Sequence, residues 1–336
     1  MVKTLASDTV APAFPQVIDA LARVNHGEAA SYGADEYTRR TEGRFHDLFG
    51  APVEVRWSLG GTGANIFSMA ALVQRHQAIL CAETAHMVVH ECGAVSQSTG
   101  AQMRTIASGD AKLRPEDVRP YLQELQDDHV SRPRVLSITQ TTELGAVYTV
   151  DEIAALAELA HSHDLYLHVD GARIATALAA IDADPKAALT DVGVDVISFG
   201  GTKAGTAFGE AVVFIDPSLA RDVKRTHIST GQLSAKTRFI AAQFEAFLTD
   251  DLWLRGARQA NQMAQLLSKR LGGIPGVELL PVEANIIWAN VSPEVAARTR
   301  DMVHTTNSRA RWVTAWDTTE ADVDAVAEVV AGTASR

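Results

Sequence analysis

The sequence predicts an α/β protein in which a mostly parallel sheet fills a large domain and a small C-terminal α+β domain follows. Short runs rich in Val, Ile and Leu alternate with helical patterns over roughly the first 215 residues, the mark of strands joined by crossover helices. After Phe214 the rhythm changes to two long helical patterns and then to isolated strands. The 336 residues also exceed the roughly 250–300 that one core usually serves, which favours a large unit plus a smaller one.

The elements follow in order. Strands are expected at residues 53–58, 78–82, 102–106, 134–139, 165–169, 196–199 and 211–215. A glycine turn, Gly60-Gly61-Thr62-Gly63-Ala64-Asn65, follows the first strand and opens a helix at 66–75. Arg114-Pro115-Glu116-Asp117 starts another, with proline and acids in its first turn. Thr149 and Glu152 form a capping box ahead of Ile153, Leu156 and Ala160. Long helices are expected at 235–248 and 252–271, and strands at 286–290 and 312–314. The domains are drawn as 1–239 and 240–336, with the long helix as the hinge. Neither a linker nor an internal repeat interrupts the pattern.

Composition narrows the function. A net charge of −11 and a pI near 5.4 argue against nucleic acid and anionic membrane as partners. No apolar run approaches the roughly 20 residues of a membrane span, and residues 1–14 lack the basic and apolar regions of a signal peptide. A cytoplasmic location is the default expectation. Cys81 and Cys92 show no metal-ligand spacing, so free thiols and no metal are expected, with a single disulfide the minor reading.

Two motifs carry the chemistry. Leu167-His168-Val169-Asp170-Gly171-Ala172-Arg173 is an apolar strand ending in an acid, and Ser198-Phe199-Gly200-Gly201-Thr202-Lys203 is a strand ending in a glycine turn with one lysine. An aspartate and a lysine presented from neighbouring strand ends are what a pyridoxal phosphate site requires: the lysine offers an amine for a Schiff base, and the aspartate keeps the ring nitrogen protonated. The glycine turn at 60–65 suits a phosphate, because small residues and a helix N-terminus expose N–H groups to an anion. Each has a plainer reading: Asp170 as a helix cap, Arg173 as a surface ion pair, Lys203 as a loop lysine, the glycines as a tight turn. Their shared place at the carboxyl edge of a sheet favours the cofactor reading. His86, close to Glu91, suits stacking on a cofactor ring; His129 lies in an acidic, surface-like run.

The chain resembles the pyridoxal phosphate-dependent L-threonine aldolases, of fold type I (the aspartate-aminotransferase fold), within the wider β-eliminating lyase group. The resemblance runs from Ala6-Ser7-Asp8-Thr9-Val10 through Tyr32-Gly33-Ala34-Asp35, Gly61-Thr62-Gly63-Ala64-Asn65 and Ala85-His86 with Glu91. It continues through the runs at 170–173 and 200–203 to Arg311-Trp312-Val313-Thr314. It implies Lys203 as the Schiff-base lysine, Asp170 as the pyridinium partner and His86 as the stacking ring. Gly61 and Thr62, with Thr202, would hold the phosphate, and Gln140 the ring edge. Ser7, at the head of an N-terminal segment that reaches the site, would grip the substrate carboxylate with Arg173 and Arg311. Lys236 would reach a phosphate across a subunit boundary, and Tyr32 would serve a neighbouring chain, since relatives are typically homotetramers built as dimers of dimers with interfacial active sites.

The implied reaction is retro-aldol cleavage of L-threonine, L-allo-threonine and related β-hydroxy-α-amino acids to glycine and an aldehyde. His86 or His129 is the candidate base for the β-hydroxyl proton. The chain departs from another branch of the family twice: Ala315 ends the Arg-x-Val-Thr-His pattern, and Thr139-Gln140-Thr141-Thr142-Glu143 replaces Glu-Asn-Thr-His-Asn. The pocket for the substrate side chain is therefore open, as is the preference for threo or allo configuration. The rivals are β-elimination or transamination on the same scaffold and a non-catalytic binding protein; a Rossmann dehydrogenase would need a Gly-x-Gly-x-x-Gly that is missing.

Overall fold

A computed structural model of the chain describes residues 2–123, 128–306 and 308–333. It opens with helices α1 (Pro15–Val24) and α2 (Glu36–Phe49), then β1 (Glu54–Ser58), α3 (Gly61–Leu72), β2 (Ala78–Ala82), α4 (His86–Val89), α5 (Ala94–Thr99) and β3 (Gln102–Ile106). The middle holds α6 (Pro115–Leu122), β4 (Pro133–Thr139), α7 (Val150–His161), β5 (Tyr166–Gly171), α8 (Ile174–Ile181), β6 (Val196–Phe199) and β7 (Glu210–Phe214). The remainder is α9 (Val223–Ser229), α10 (Arg238–Leu248), α11 (Leu252–Leu271), β8 (Val277–Leu279), β9 (Ile286–Val291), α12 (Pro293–Thr299), β10 (His304–Thr305), β11 (Arg309–Val313) and α13 (Glu320–Ala331).

The seven strands β1 to β7 form one sheet in the order β1-β7-β6-β5-β4-β2-β3, in which β7 alone runs against its neighbours. Strands β2, β6 and β7 are buried along their whole length, as expected of strands covered by helices on both faces. One face packs on Phe45, Trp57, Phe199, Phe244, Phe247 and Trp253, rings that meet edge-on or tilted. The second sheet, ordered β10-β11-β9-β8, is antiparallel and lies over its own core of Leu267, Ile287, Trp312 and Val326.

All but the last of the sequence-predicted strands are within two residues of expectation; the strand expected at 312–314 is displaced to Arg309–Val313, where it pairs with β9. Both expected crossover helices are present, and the Thr149–Glu152 capping box is reciprocal, Thr149 N–H to Glu152 at 2.7 Å and Glu152 N–H to Thr149 Oγ1 at 3.2 Å. The helix expected at 66–75 starts earlier, at Gly61: Ala64 N–H already donates to the Gly60 carbonyl at 2.9 Å, so the glycine run is the first helical turn rather than a loop before it. Helix α11 is about 30 Å long at 1.5 Å per residue. Its first half buries Leu252, Trp253 and Ala257 in the large core, and its second half buries Met263, Ala264, Leu267 and Leu271 in the small one.

The N-terminal segment is stitched to the second sheet. Leu5 donates to the Met302 carbonyl at 2.9 Å and accepts from Val313 N–H at 2.8 Å. Cys81 is buried, which pushes its thiol up to about 12, and Cys92 is exposed; both are free. Among the described residues no helix is long and apolar enough to cross a membrane.

Candidate active site

Parallel pairing sets the frame. Thr139 of β4, Asp170 of β5 and Ser198 of β6 are in register, so three consecutive strand ends open onto one edge. The turn after β6 lies flat against the turn after β5: Gly200 N–H donates to the Gly171 carbonyl at 3.0 Å, and a Cβ at Gly200 would sit 2.5 Å from the Ala172 carbonyl oxygen. Only glycine permits that approach. From β7, the buried Glu210 carboxylate accepts Gly201 N–H at 2.5 Å and holds the turn carrying Lys203.

Asp170 is anchored on both oxygens. Oδ1 accepts Ala172 N–H at 3.1 Å, and Oδ2 accepts the Asn65 amide at 2.9 Å. The same Asn65 nitrogen donates to Glu91 Oε1 at 2.9 Å, and that oxygen also meets His86 Nδ1 at 2.8 Å. One amide thus bridges two buried carboxylates and ties the end of β5 to the segment just after α4. Beneath it, Ser198 donates to Asn65 at 3.1 Å, and His168 lies between Ser198 (3.2 Å) and Ser137 (2.9 Å). Complete burial depresses His168 to about 4, so the ring is neutral near pH 7. The hydrogen bond to Glu91 above all raises His86, with burial opposing.

These residues face a cavity of about 530 Å³ lined by Ser7, Glu143, Arg173, Lys203, Trp288 and Arg311 among others. A narrower inner chamber joins it, walled by Gly61, Thr62, Asn65, His86, Asp170, Ala172 and Lys203. The charge on Arg173 and, next, burial lower the Lys203 pKa, which favours the neutral, nucleophilic amine. Arg173 is itself buried and forked onto Asp8, Nε to Oδ2 at 2.7 Å and Nη2 to Oδ1 at 3.1 Å, with Asn285 adding a bond to the same carboxylate at 3.1 Å. Burial alone would raise Asp8; Arg173 more than reverses it and holds the carboxyl below its usual range. Arg311 donates to the Ala6 carbonyl at 3.1 Å, and its buried Nε has no partner among the described residues.

Of the residues singled out in the sequence, Ser7, Gly61, Thr62, His86, Asp170, Arg173, Lys203 and Arg311 converge on these two spaces. Thr202 stands in the Lys203 turn, its hydroxyl 3.5 Å from the Gly209 carbonyl. Gln140 is engaged elsewhere: its buried amide donates to the Tyr148 carbonyl at 2.9 Å and accepts Tyr148 N–H at 3.0 Å, while Thr139 and Thr141 line the chamber instead. His129 is exposed four residues before β4 begins, at the sheet edge opposite Asp170, and is not brought to the site within its own chain. Tyr32 and Lys236 are exposed on another face, where Tyr32 N–H donates to the Ala235 carbonyl at 3.0 Å. A wider groove of about 630 Å³ between α1, α2 and α10 contains none of the motif residues.

Sequence reasoning gave no role to Asn65, Asp8, Glu143 or Trp288. The first two stand inside recognised motifs and Glu143 ends the run 139–143 quoted above, which was the available signal; Trp288 is visible only once β9 is brought against that run. Trp288 Nε1 donates to the Glu143 carbonyl at 3.1 Å.

Comparison with known proteins places this geometry among relatives. Residues 4–293 match the family model described as beta-eliminating lyase. The chain is 39% identical over 325 residues to the low specificity L-threonine aldolase of Pseudomonas sp. (strain NCIMB 10558), covering 95% of this chain and 94% of that protein. The low specificity L-threonine aldolase of Pseudomonas aeruginosa is also 39% identical, over 331 residues, 96% of this chain and 95% of the relative. Among solved structures, a threonine aldolase from Leishmania major superposes with a TM-score of 0.91 at 27% identity, covering 98% of both chains. An Escherichia coli protein with a methionine aminotransferase function shares the fold at a TM-score of 0.75 and 14% identity, covering 99% of this chain and 93% of that one.

Proposed function

The chain belongs to the beta-eliminating lyase family, and we propose that it cleaves L-threonine, L-allo-threonine and related β-hydroxy-α-amino acids to glycine and an aldehyde with pyridoxal 5′-phosphate as coenzyme. The observation that carries the reading is the pairing of Lys203 and Asp170 around one chamber, with Gly61 and Thr62 at a helix N-terminus on one wall and Arg173 and Arg311 in the adjoining cavity.

The residues fit that coenzyme. The buried Thr141 hydroxyl and Glu91 Oε2 have no partner among the described residues, and both belong to residues lining the chamber. A Cβ at Gly60 or Gly61 would meet nothing within 4 Å, which leaves room for an anion at the N–H groups of α3. Lys203 would hold the coenzyme covalently, Asp170 would pair with its ring nitrogen, His86 would stack on its face, and Gly61, Thr62 and Thr202 would bind its phosphate. When bound, pyridoxal phosphate supplies an electron sink for the pair left on Cα.

The remaining work falls to the chain. Ser7, Arg173 and Arg311 bind the substrate carboxylate, and Asp8 keeps the Arg173 fork aimed. Fixing the carboxylate fixes rotation about N–Cα and so selects the bond to be broken. Arg311 lines the cavity, and its buried Nε–H, without a partner among the described residues, is a donor left for that carboxylate. Lys236 and Tyr32, remote from Lys203 in their own chain, belong to this reading as contributions to a second subunit's site in a homotetramer, and the cytoplasm is its compartment. The two-part organisation also belongs to it, with the boundary moved from 239/240 into α11, because Ile240, Phe244 and Phe247 pack in the large core.

The test is an assay of coenzyme-supplemented protein on L-threonine and L-allo-threonine. Acetaldehyde and glycine support the reading; ammonia with a keto acid would assign β-elimination or transamination instead. Lys203→Ala should abolish turnover and the visible absorption band together, and multiple turnovers in that variant would remove the role given to Lys203.

A further inference from the structure

Cleavage of a β-hydroxy amino acid needs a group to take the hydroxyl proton, and the histidines named above serve this poorly. His129 is at the far edge of its own chain's sheet. His86 is tied through Nδ1 to Glu91 at 2.8 Å, and its ring is the face assigned to stack on the coenzyme.

Four residues border both the cavity and the inner chamber: His86, Glu143, Arg173 and Lys203. Glu143 is the one carboxylate among them. The other nearby acids are occupied: Asp8 by Arg173 and Asn285, Asp170 by Asn65 and Ala172, Glu91 by His86 and Asn65. Glu83 is exposed and borders only the outer cavity. The Glu143 side chain makes no hydrogen bond or ion pair with any described residue, while its backbone is firmly held. Thr142 N–H donates to the Ala146 carbonyl and Gly145 N–H to the Thr142 carbonyl, each at 2.9 Å, and Trp288 clamps the Glu143 carbonyl. An anchored backbone with an unengaged carboxylate at the junction of both spaces is the arrangement a general base needs.

We infer that Glu143 is the catalytic base for the β-hydroxyl group, an inference that rests on the cleavage reading above. Its carboxylate takes the hydroxyl proton; the O–H electron pair becomes the second bond of the aldehyde carbonyl; the Cα–Cβ pair stays on Cα, where the bound coenzyme would supply the electron sink. A solvent-derived proton then reaches Cα to give glycine, and Glu143 releases its proton to water. No oxidant or further reactant is involved. The position falls within the segment, residues 139–143, where this chain departs from the other branch of the family, so the assignment is specific to chains carrying the acid.

The experiment compares wild-type, Glu143→Gln and Glu143→Asp holoenzymes in three readouts: the visible absorption band, exchange of the glycine α-proton with D₂O followed by NMR, and acetaldehyde release from L-threonine. Glycine has no β-hydroxyl, so its exchange needs the coenzyme and Lys203 but not this base. Glu143→Gln should keep the band and the exchange while kcat for cleavage falls by about 100-fold or more, and Glu143→Asp should recover part of that loss. Cleavage by Glu143→Gln within about tenfold of wild type, or exchange falling in step with cleavage, would overturn the assignment. A wild-type enzyme with neither band nor exchange would instead sink the reading on which it rests, and Glu143 with it.

Discussion

Acidification should destabilise the protein through His168, and the size of the effect follows from its position. The ring is fully buried between Ser137 and Ser198, and burial depresses it from 6.5 to about 4. Between those values the unfolded chain carries a proton at His168 that the folded chain does not, so stability rises with pH there and falls on acidification. Above 6.5 neither state is protonated and the contribution is flat; below about 4 both are, and the loss saturates. The gap of about 2.5 units, at roughly 1.4 kcal/mol each, sets a total near 3 kcal/mol, of which about 2 kcal/mol is lost by about pH 5. The assay is urea unfolding at fixed protein concentration at about pH 7.5 and about pH 5, on wild type and His168→Gln. The variant should begin less stable yet lose about 2 kcal/mol less across the interval, since the other titrating groups are common to both. If both lose stability in parallel, the ring is not held neutral as its burial requires, and the account of the network beneath Asp170 fails with it.

The remaining predictions concern the site's cations. Asp8→Ala leaves the buried Arg173 guanidinium without its fork partner and should cost about 3–5 kcal/mol in urea unfolding, with a raised KM for L-threonine; a loss under about 1 kcal/mol would mean that Arg173 finds equal compensation elsewhere. If Lys236 reaches a neighbour's phosphate, mixed and reassembled Lys203→Ala and Lys236→Ala subunits should recover roughly a quarter of wild-type activity. Half of random pairs are hybrids, and each hybrid holds one site with both lysines intact. No recovery above the separate variants would confine Lys236 to its own chain.

The large sheet was legible because its strands are short, apolar and separated by helices with their own caps; the Thr149–Glu152 pair announces α7 before any fold is known. The two motifs at 170 and 203 were legible for a similar reason, since each couples a buried strand to a turn carrying a single charged residue. What the sequence concealed depends on distance in the chain. Asn65, Glu91 and Asp170 are 26 and 105 positions apart along their hydrogen bonds, and no local pattern links them. Gln140 shows the converse: its type suits a ring edge, but an amide serves a backbone equally well, and Tyr148 engages it from both sides. Strands β8 and β10, three and two residues long, exist through pairing with β9 and β11 rather than through apolar periodicity.

The stitching of Leu5 into the C-terminal sheet has a mechanical corollary. Asp8 lies three positions beyond that seam, a tether of about 10 Å when taut. Any sliding of the small sheet therefore tugs the carboxylate gripping Arg173, so the fork's aim reports the position of the whole C-terminal lobe. Ser7 stands on the same leash, and Arg311 is on the sheet that pulls it. Docking an amino acid between the two guanidinium groups would then tighten the leash from both ends, coupling occupancy of the cavity to a settled lobe.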